Sequence, residues 1–307
     1  MSLVERTLKK LQESRQAGKS AATGQQPAVP AAPAVPSAPA QRAAAPPRGQ
    51  RPMMPVETTR IVPIDRIRLR SMDLLPPVDL ERQITSQYQH IKRPLVASVL
   101  SRDPALGNAS HVIMLASALP GEGKTFTSIN LALSLALEKD IEVLLVDADV
   151  RKPHVSRIFG VENEKGLIDL LTDNSLTPAQ VILRTDVPNL SLMPAGRPID
   201  TATEMLASER MSDIVAHLAA PDGRRIVLFD TPPLLLSTES HALAASAGQV
   251  VLVVRAEITS QQAVRDAIDA IGGKPVSLIL NQTSAPPSSG YYGYGSYGES
   301  SAPQVES

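Results

Sequence analysis

Six short apolar runs recur through the body of the chain, at 112–116, 143–146, 190–193, 226–229, 250–254 and 276–280, each nearly free of polar residues. A strand that is apolar at every position is buried on both faces, which marks a parallel sheet covered by helices rather than a half-wetted antiparallel one. Between most of these runs the apolar period lengthens to that of a helix, at 125–138, 208–218, 239–245 and 260–271. Strands alternating with helices predict an α/β fold with a doubly wound, mostly parallel sheet.

Outside that body the pattern changes. Ser2 with Glu5 makes a capping box, and Val4, Leu8 and Leu11 follow on one stripe, so residues 1–17 read as a short amphipathic helix. Residues 18–57 are rich in Ala and Pro and predict a disordered linker. Residues 58–110 read as a lead-in segment packing on the main domain. It holds a strand at 61–64, a turn at Pro76 and Pro77, and a helical pattern over 78–100 that breaks near Pro94. The main domain spans 111–282. Residues 283–307, with Y-Y-G-Y-G-S-Y-G among Pro, Ser and Gly, predict a flexible tail.

The 307 residues are 43% hydrophobic, enough for a sizeable core, and they include no cysteine. Disulfides, zinc–thiolate sites and thiol nucleophiles are thereby excluded, and a reducing cytoplasm fits. No apolar run approaches the ~20 residues of a membrane span, so the chain is expected at the inner face of the plasma membrane only through a partner. The net charge of −1 hides an asymmetry: residues 1–70 carry 12 Lys and Arg against 4 Asp and Glu, leaving 18 against 27 for the rest. Such a basic arm is attracted to anionic lipid or an acidic partner, or is simply solvated. It contains no aromatic residue to stack on bases, so no nucleic acid is expected as a partner.

The strongest chemical signal is A-L-P-G-E-G-K-T, residues 118–125, lying between a predicted strand and a predicted helix. Gly121 and Gly123 permit a tight turn whose N–H groups point inward, and the helix that follows adds the positive end of its dipole. Pro120, Gly121, Glu122, Gly123, Lys124, Thr125 and Phe126 are therefore candidate nucleotide-binding residues, with Lys124 reaching the outer phosphates and Thr125 offering a hydroxyl to Mg²⁺. Ala118 stands where this pattern usually begins with Gly. V-D-A-D-V-R-K-P then sets Asp147 and Asp149 just past one buried strand, and F-D-T-P-P sets Asp230 just past another. In a doubly wound sheet those strand ends share the edge of the phosphate loop. Two of the acids can orient Mg²⁺ while a third accepts a proton, or Asp147 and Asp230 can simply cap turns.

On these motifs the chain resembles the bacterial tyrosine kinases, P-loop proteins that accompany capsule and exopolysaccharide synthesis. The likeness covers most of 85–300 and includes P-A-G-R-P, E-M-L-A-S at 204–208, and the tyrosine-rich end. It implies a P-loop NTPase-type sheet and ATP with Mg²⁺ as cofactors. It further implies Lys124, Asp147, Asp149 and Asp230 as catalytic residues, with Thr125, Asp147 and Asp230 organising the metal. Which of Asp147 and Asp149 is the base stays open. Asn281 resembles the position from which related ATPases contact adenine. The run M-S-L-V-E-R-T-L-K-K-L, the linker and H-I-K-R-P-L look similar to the subgroup tied to exosortase-linked exopolysaccharide loci. The family further implies a transmembrane chain-length regulator as activator and a cognate tyrosine phosphatase. One stretch departs: family members carry E-x-x-R-x-x-R in the helix before the P-loop, whereas Ser86, Gln89 and Lys92 stand here. A homo-oligomer is consistent with the resemblance, but the charges that pack a ring are mostly gone.

Four of the five tyrosines, Tyr291, Tyr292, Tyr294 and Tyr297, fall in the tail, where there is no core to pack against. They are the expected sites of autophosphorylation between subunits, the alternative being a Gly/Tyr low-complexity end without chemistry. Partition and cell-division ATPases share the fold, but their signature lysine would stand at 119, where this chain has Leu119. The expected activity is thus an ATP- and Mg²⁺-dependent tyrosine autokinase regulating exopolysaccharide biosynthesis and export. The alternatives are a membrane-associated regulatory ATPase and a nucleotide-gated scaffold.

Overall fold

The computed structural model describes residues 61–100, 107–219 and 224–283. The chain divides into two units, Met1–Met54 and Pro55–Ser307, and every described residue belongs to the second. The readings of 1–17, 18–57 and the four tail tyrosines lie outside the described residues.

Seven strands form one sheet: β1 Val112–Ser117, β2 Glu142–Asp147, β3 Leu183–Arg184, β4 Leu190–Met193, β5 Arg225–Asp230, β6 Gln249–Arg255 and β7 Val276–Asn281. Their spatial order is β3-β4-β2-β5-β1-β6-β7, and every neighbouring pair is parallel except β3 with β4. This is the doubly wound, mostly parallel sheet that the apolar runs predict, except that β7, read as buried on both faces, is an edge strand with Leu278 and Leu280 exposed. β3 is the strand they miss, because two residues are too few to show a period. β1, inside the sheet between β5 and β6, is buried at all six positions and explains the pattern. Val112, Met114 and Ala116 join the core on one face, while Ile113 and Leu115 join the core on the other. Each large side chain so buried is worth about 1.5–3 kcal/mol relative to exposure.

The two faces are covered differently. On one, helices Leu167–Thr172, Ala202–Leu206, Glu209–Leu218, Thr238–Ser246 and Gln261–Ala270 contribute Leu170, Leu206, Met211, Leu243 and Ala267 to the core. On the other lie helices Lys124–Leu135, His154–Ile158 and Glu81–Leu100, together with Val62, Ile64, Leu69 and Leu75. Helix Glu81–Leu100 runs through Pro94 without a break. A proline withholds one backbone hydrogen bond, but Tyr88, Lys92, Leu95 and Val99 are buried, and this packing outweighs the loss. Lys92 binds within its own chain, donating to the Ser134 carbonyl at 2.9 Å and pairing with Glu138 at 2.7 Å.

The strand read at 61–64 is a single bridge between Val62 and Thr185. Pro63 has no N–H for a ladder, and Asp65 at once caps helix Arg66–Ser71 by accepting from the backbone N–H groups of Ile67 and Arg68, both at 3.0 Å. That bridge still extends the sheet beyond β3, whereas β7 at the opposite edge has β6 as its one strand neighbour among the described residues.

The turn Pro194–Gly196, which follows β4, packs tightly on Gly166. A Cβ there would stand 2.0 Å from the Pro194 carbonyl oxygen, a backbone atom. Gly166→Ala is therefore expected to cost about 1–3 kcal/mol, read as a lower urea midpoint with an unchanged slope.

Candidate functional site

β1 delivers the chain into the loop 118–123, where Gly121 and Gly123 adopt φ of +78° and +88°, the left-handed region open to glycine. Gly123 occupies the N-cap of helix Lys124–Leu135 and provides no side chain to it. The helices beginning at Glu209, Thr238 and Gln261 are each capped by a serine oxygen, so the P-loop helix alone among these four keeps its first N–H groups without a side-chain cap. An anion is the remaining complement to that end.

Behind the loop lies a buried polar cluster. Asp230, fully buried at the end of β5, accepts from Lys124 Nζ at 2.9 Å, Thr125 Oγ1 at 3.0 Å and Ser128 Oγ at 2.7 Å. Ser128 is absent from the sequence reading, although its spacing of three and four from Thr125 and Lys124 places it on their helix face. Asp147, fully buried at the end of β2, accepts from the Ser156 N–H and hydroxyl, both at 2.7 Å, and from Asp149 N at 3.3 Å. Ser156, nine residues on and past Pro153, gives no signal in the sequence. Burial first, and then the Asp230 charge, push the Asp147 carboxyl up to about 7, with the Ser156 bonds acting against them. Asp149 is also raised by burial, opposed by the Lys152 backbone N–H and then by the Lys124 charge.

These residues do not share one exposure. A cavity of about 940 Å³ is lined by Gly121, Gly123, Lys124, Thr125, Phe126 and Asp149, together with Arg151, Lys152, His154, segment 232–239 and His241. Its residues include Asp149 but neither Asp147 nor Asp230, which stand behind the wall. Pro120 is exposed at the lip. Glu122 lines the same cavity, while its buried carboxylate accepts from Leu119 N at 2.7 Å, from Arg255 N at 3.5 Å and, in a short contact, from the Thr259 hydroxyl. It fixes the loop's shape. Asn281 lies against the loop, its amide donating to the Glu122 carbonyl at 2.9 Å.

Thr125 Oγ1 and the Asp230 carboxylate are hard oxygen donors within 3.0 Å of each other, a pair suited to Mg²⁺ that retains waters and phosphate oxygens as its other ligands. Asp147 has both oxygens engaged by protein donors, so its place is behind that pair.

A family model described as an AAA domain matches residues 110–276. EpsB of Ralstonia nicotianae is 33% identical over 255 residues, 75% of this chain and 33% of that protein. The chain thus spans about a third of that relative's length. The tyrosine-protein kinase YwqD of Bacillus subtilis is 33% identical over 186 residues, 59% of this chain and 77% of YwqD. The crystal structure of the VpsO kinase domain superposes with a TM-score of 0.51 at 31% identity, covering 64% of this chain and 99% of that domain.

Proposed function

We propose, for a chain that belongs to the bacterial P-loop tyrosine kinases, that this site transfers the γ-phosphoryl group of ATP to tyrosine, with the tail residues Tyr291, Tyr292, Tyr294 and Tyr297 as its own substrates. The observation that carries the reading is a carboxylate, Asp149, on the same cavity wall as Lys124 and Thr125.

The phosphates of ATP lie on the uncapped N–H groups of the P-loop helix, and Lys124 exchanges its Asp230 partner for them. The tyrosine oxygen forms its bond to Pγ as the bond from Pγ to the bridging oxygen breaks, and ADP leaves with that electron pair. Asp149 takes the phenolic proton; its raised affinity for protons favours that role, and Asp147, locked by Ser156, holds position behind it. Mg²⁺ bound with the nucleotide would be held by Thr125 and Asp230 and would draw charge from the phosphoryl oxygens. The fused tail, the activating transmembrane chain-length regulator, a cognate phosphatase and a role in exopolysaccharide export complete the proposal. Its place is the inner face of the membrane, through that regulator. No described helix is long and apolar enough to cross a membrane.

The test is site-resolved phosphotyrosine mass spectrometry after the purified chain is incubated with Mg-ATP. Phosphate is expected at 291–297, and Asp149→Asn is expected to slow its appearance about 100- to 10,000-fold. Bound nucleotide without any phosphotyrosine, even with regulator segments added, would replace this reading with a regulatory ATPase.

A further inference from the structure

Three basic residues, Arg151, Lys152 and His154, follow Asp149 along the cavity wall, and all three are exposed. Arg151 places Nε on the buried Glu239, yet its side chain remains 70% exposed, so the guanidinium has further N–H donors facing outward. Arg151 and Lys152 bring this positive charge to the cavity that also holds Asp149. None of this charge is used by the transfer step described above.

The tail has the complementary charge, and only on one side of its tyrosines. Residues 284–307 contain Glu299 and Glu306 and no Lys or Arg, while 283–290 carry no charge at all. Glu299 follows Tyr297 by two residues, a span of ~7 Å when extended. Tyr294 likewise follows Tyr292 by two, and Tyr297 follows Tyr294 by three.

We propose that Arg151, Lys152 and His154 form an anion subsite that takes a carboxylate or phosphate just C-terminal to the acceptor tyrosine, so that the tail is phosphorylated from Tyr297 back to Tyr291. This rests on the tyrosine-kinase reading and adds a recognition rule to it. Glu299 primes Tyr297. Each new phosphate, with about −1.5 to −2 charge, is then the anion for the next tyrosine toward the N-terminus. The subsite is exposed, so the preference weakens as salt rises and the Debye length shrinks from ~10 Å at 0.1 M to ~3 Å at 1 M.

The experiment follows the full chain with Mg-ATP through the first turnovers and quantifies phosphate at each tyrosine by mass spectrometry. Tyr297 is expected first, then Tyr294, Tyr292 and Tyr291. Glu299→Gln is expected to slow Tyr297 about two- to fivefold, the range of an exposed ion pair, and to erase its lead. Lys152→Glu does the same, and combining it with Glu299→Lys restores the order, which a merely damaged fold would not do. Early phosphate spread evenly, starting at Tyr291, or indifferent to Glu299→Gln overturns the subsite and leaves the kinase reading standing. Absence of phosphotyrosine from the wild-type chain with nucleotide bound overturns the kinase reading, and the subsite with it.

Discussion

Lys124→Met is expected to lower phosphotyrosine formation about 100- to 1000-fold, the loss typical of removing one preorganised charge from a transition state. It should also weaken the fold, because Lys124 Nζ lies 2.9 Å from Asp230, whose carboxylate is fully buried and keeps only the Thr125 and Ser128 hydroxyls once the lysine is gone. Breaking a buried pair from one side typically costs about 3–5 kcal/mol. The two losses separate in a double variant. Lys124→Met with Asp230→Asn removes the stranded charge and should recover most of the denaturant midpoint, while phosphotransfer stays absent. A single variant as stable as the wild type would mean that Lys124 contributes nothing to holding Asp230, and that the pair seen here is incidental.

Stability is expected to fall as pH rises from about 4 to about 7, with Asp147 responsible. Its folded-state affinity for protons is raised from the ordinary 3.8 to about 7 by burial and by Asp230, so between those values the folded protein holds a proton that the unfolded chain has released. Folding is then favoured at the acid end of the window and loses ground until the folded group also ionises, after which the curve is flat. A shift of that size corresponds to about 4 kcal/mol between pH 4 and pH 8. Asp147→Asn should flatten this slope while keeping an acceptor for the Ser156 N–H and hydroxyl. Chemical denaturation at several pH values, in magnesium-free buffer, checks both statements; equal slopes for wild type and variant would show that another group carries the dependence.

Much of the fold can be read in the sequence because parallel strands buried on both faces leave a continuous apolar signature, as in 112–116 or 250–254. The two-residue β3 and the helices Leu167–Thr172 and Ala202–Leu206 escape it, being too short for any period to repeat. Pro94 misleads for the opposite reason: local chemistry argues for a break, and tertiary burial of Tyr88 and Leu95 on either side overrides it. At the site, residues that follow strands in tight motifs, such as Lys124 and Asp230, are legible because motif and strand end coincide. Ser156 is not, since its role depends on how a helix nine residues later folds back on Asp147. Glu122 and Asn281 show a further limit: both stand beside the phosphate loop as their positions suggest, but their side chains brace its backbone.

The strand order has a consequence for how the molecule comes into being. β1, the interior strand that launches the phosphate loop, pairs on one side with β5, where Val112 meets Val227, and on the other with β6, where Ser117 meets Val253. Neither neighbour exists on a ribosome until more than a hundred further residues have been made. Contacts so distant in sequence slow folding, because the chain must close large loops before the pairing rewards it. The nascent chain therefore carries its most apolar strand and its unfinished nucleotide site together while more than a hundred further residues are made, and both become native at nearly the same moment, when β6 arrives. Truncation before Arg255 should yield chaperone-bound, nucleotide-blind protein rather than a smaller working domain.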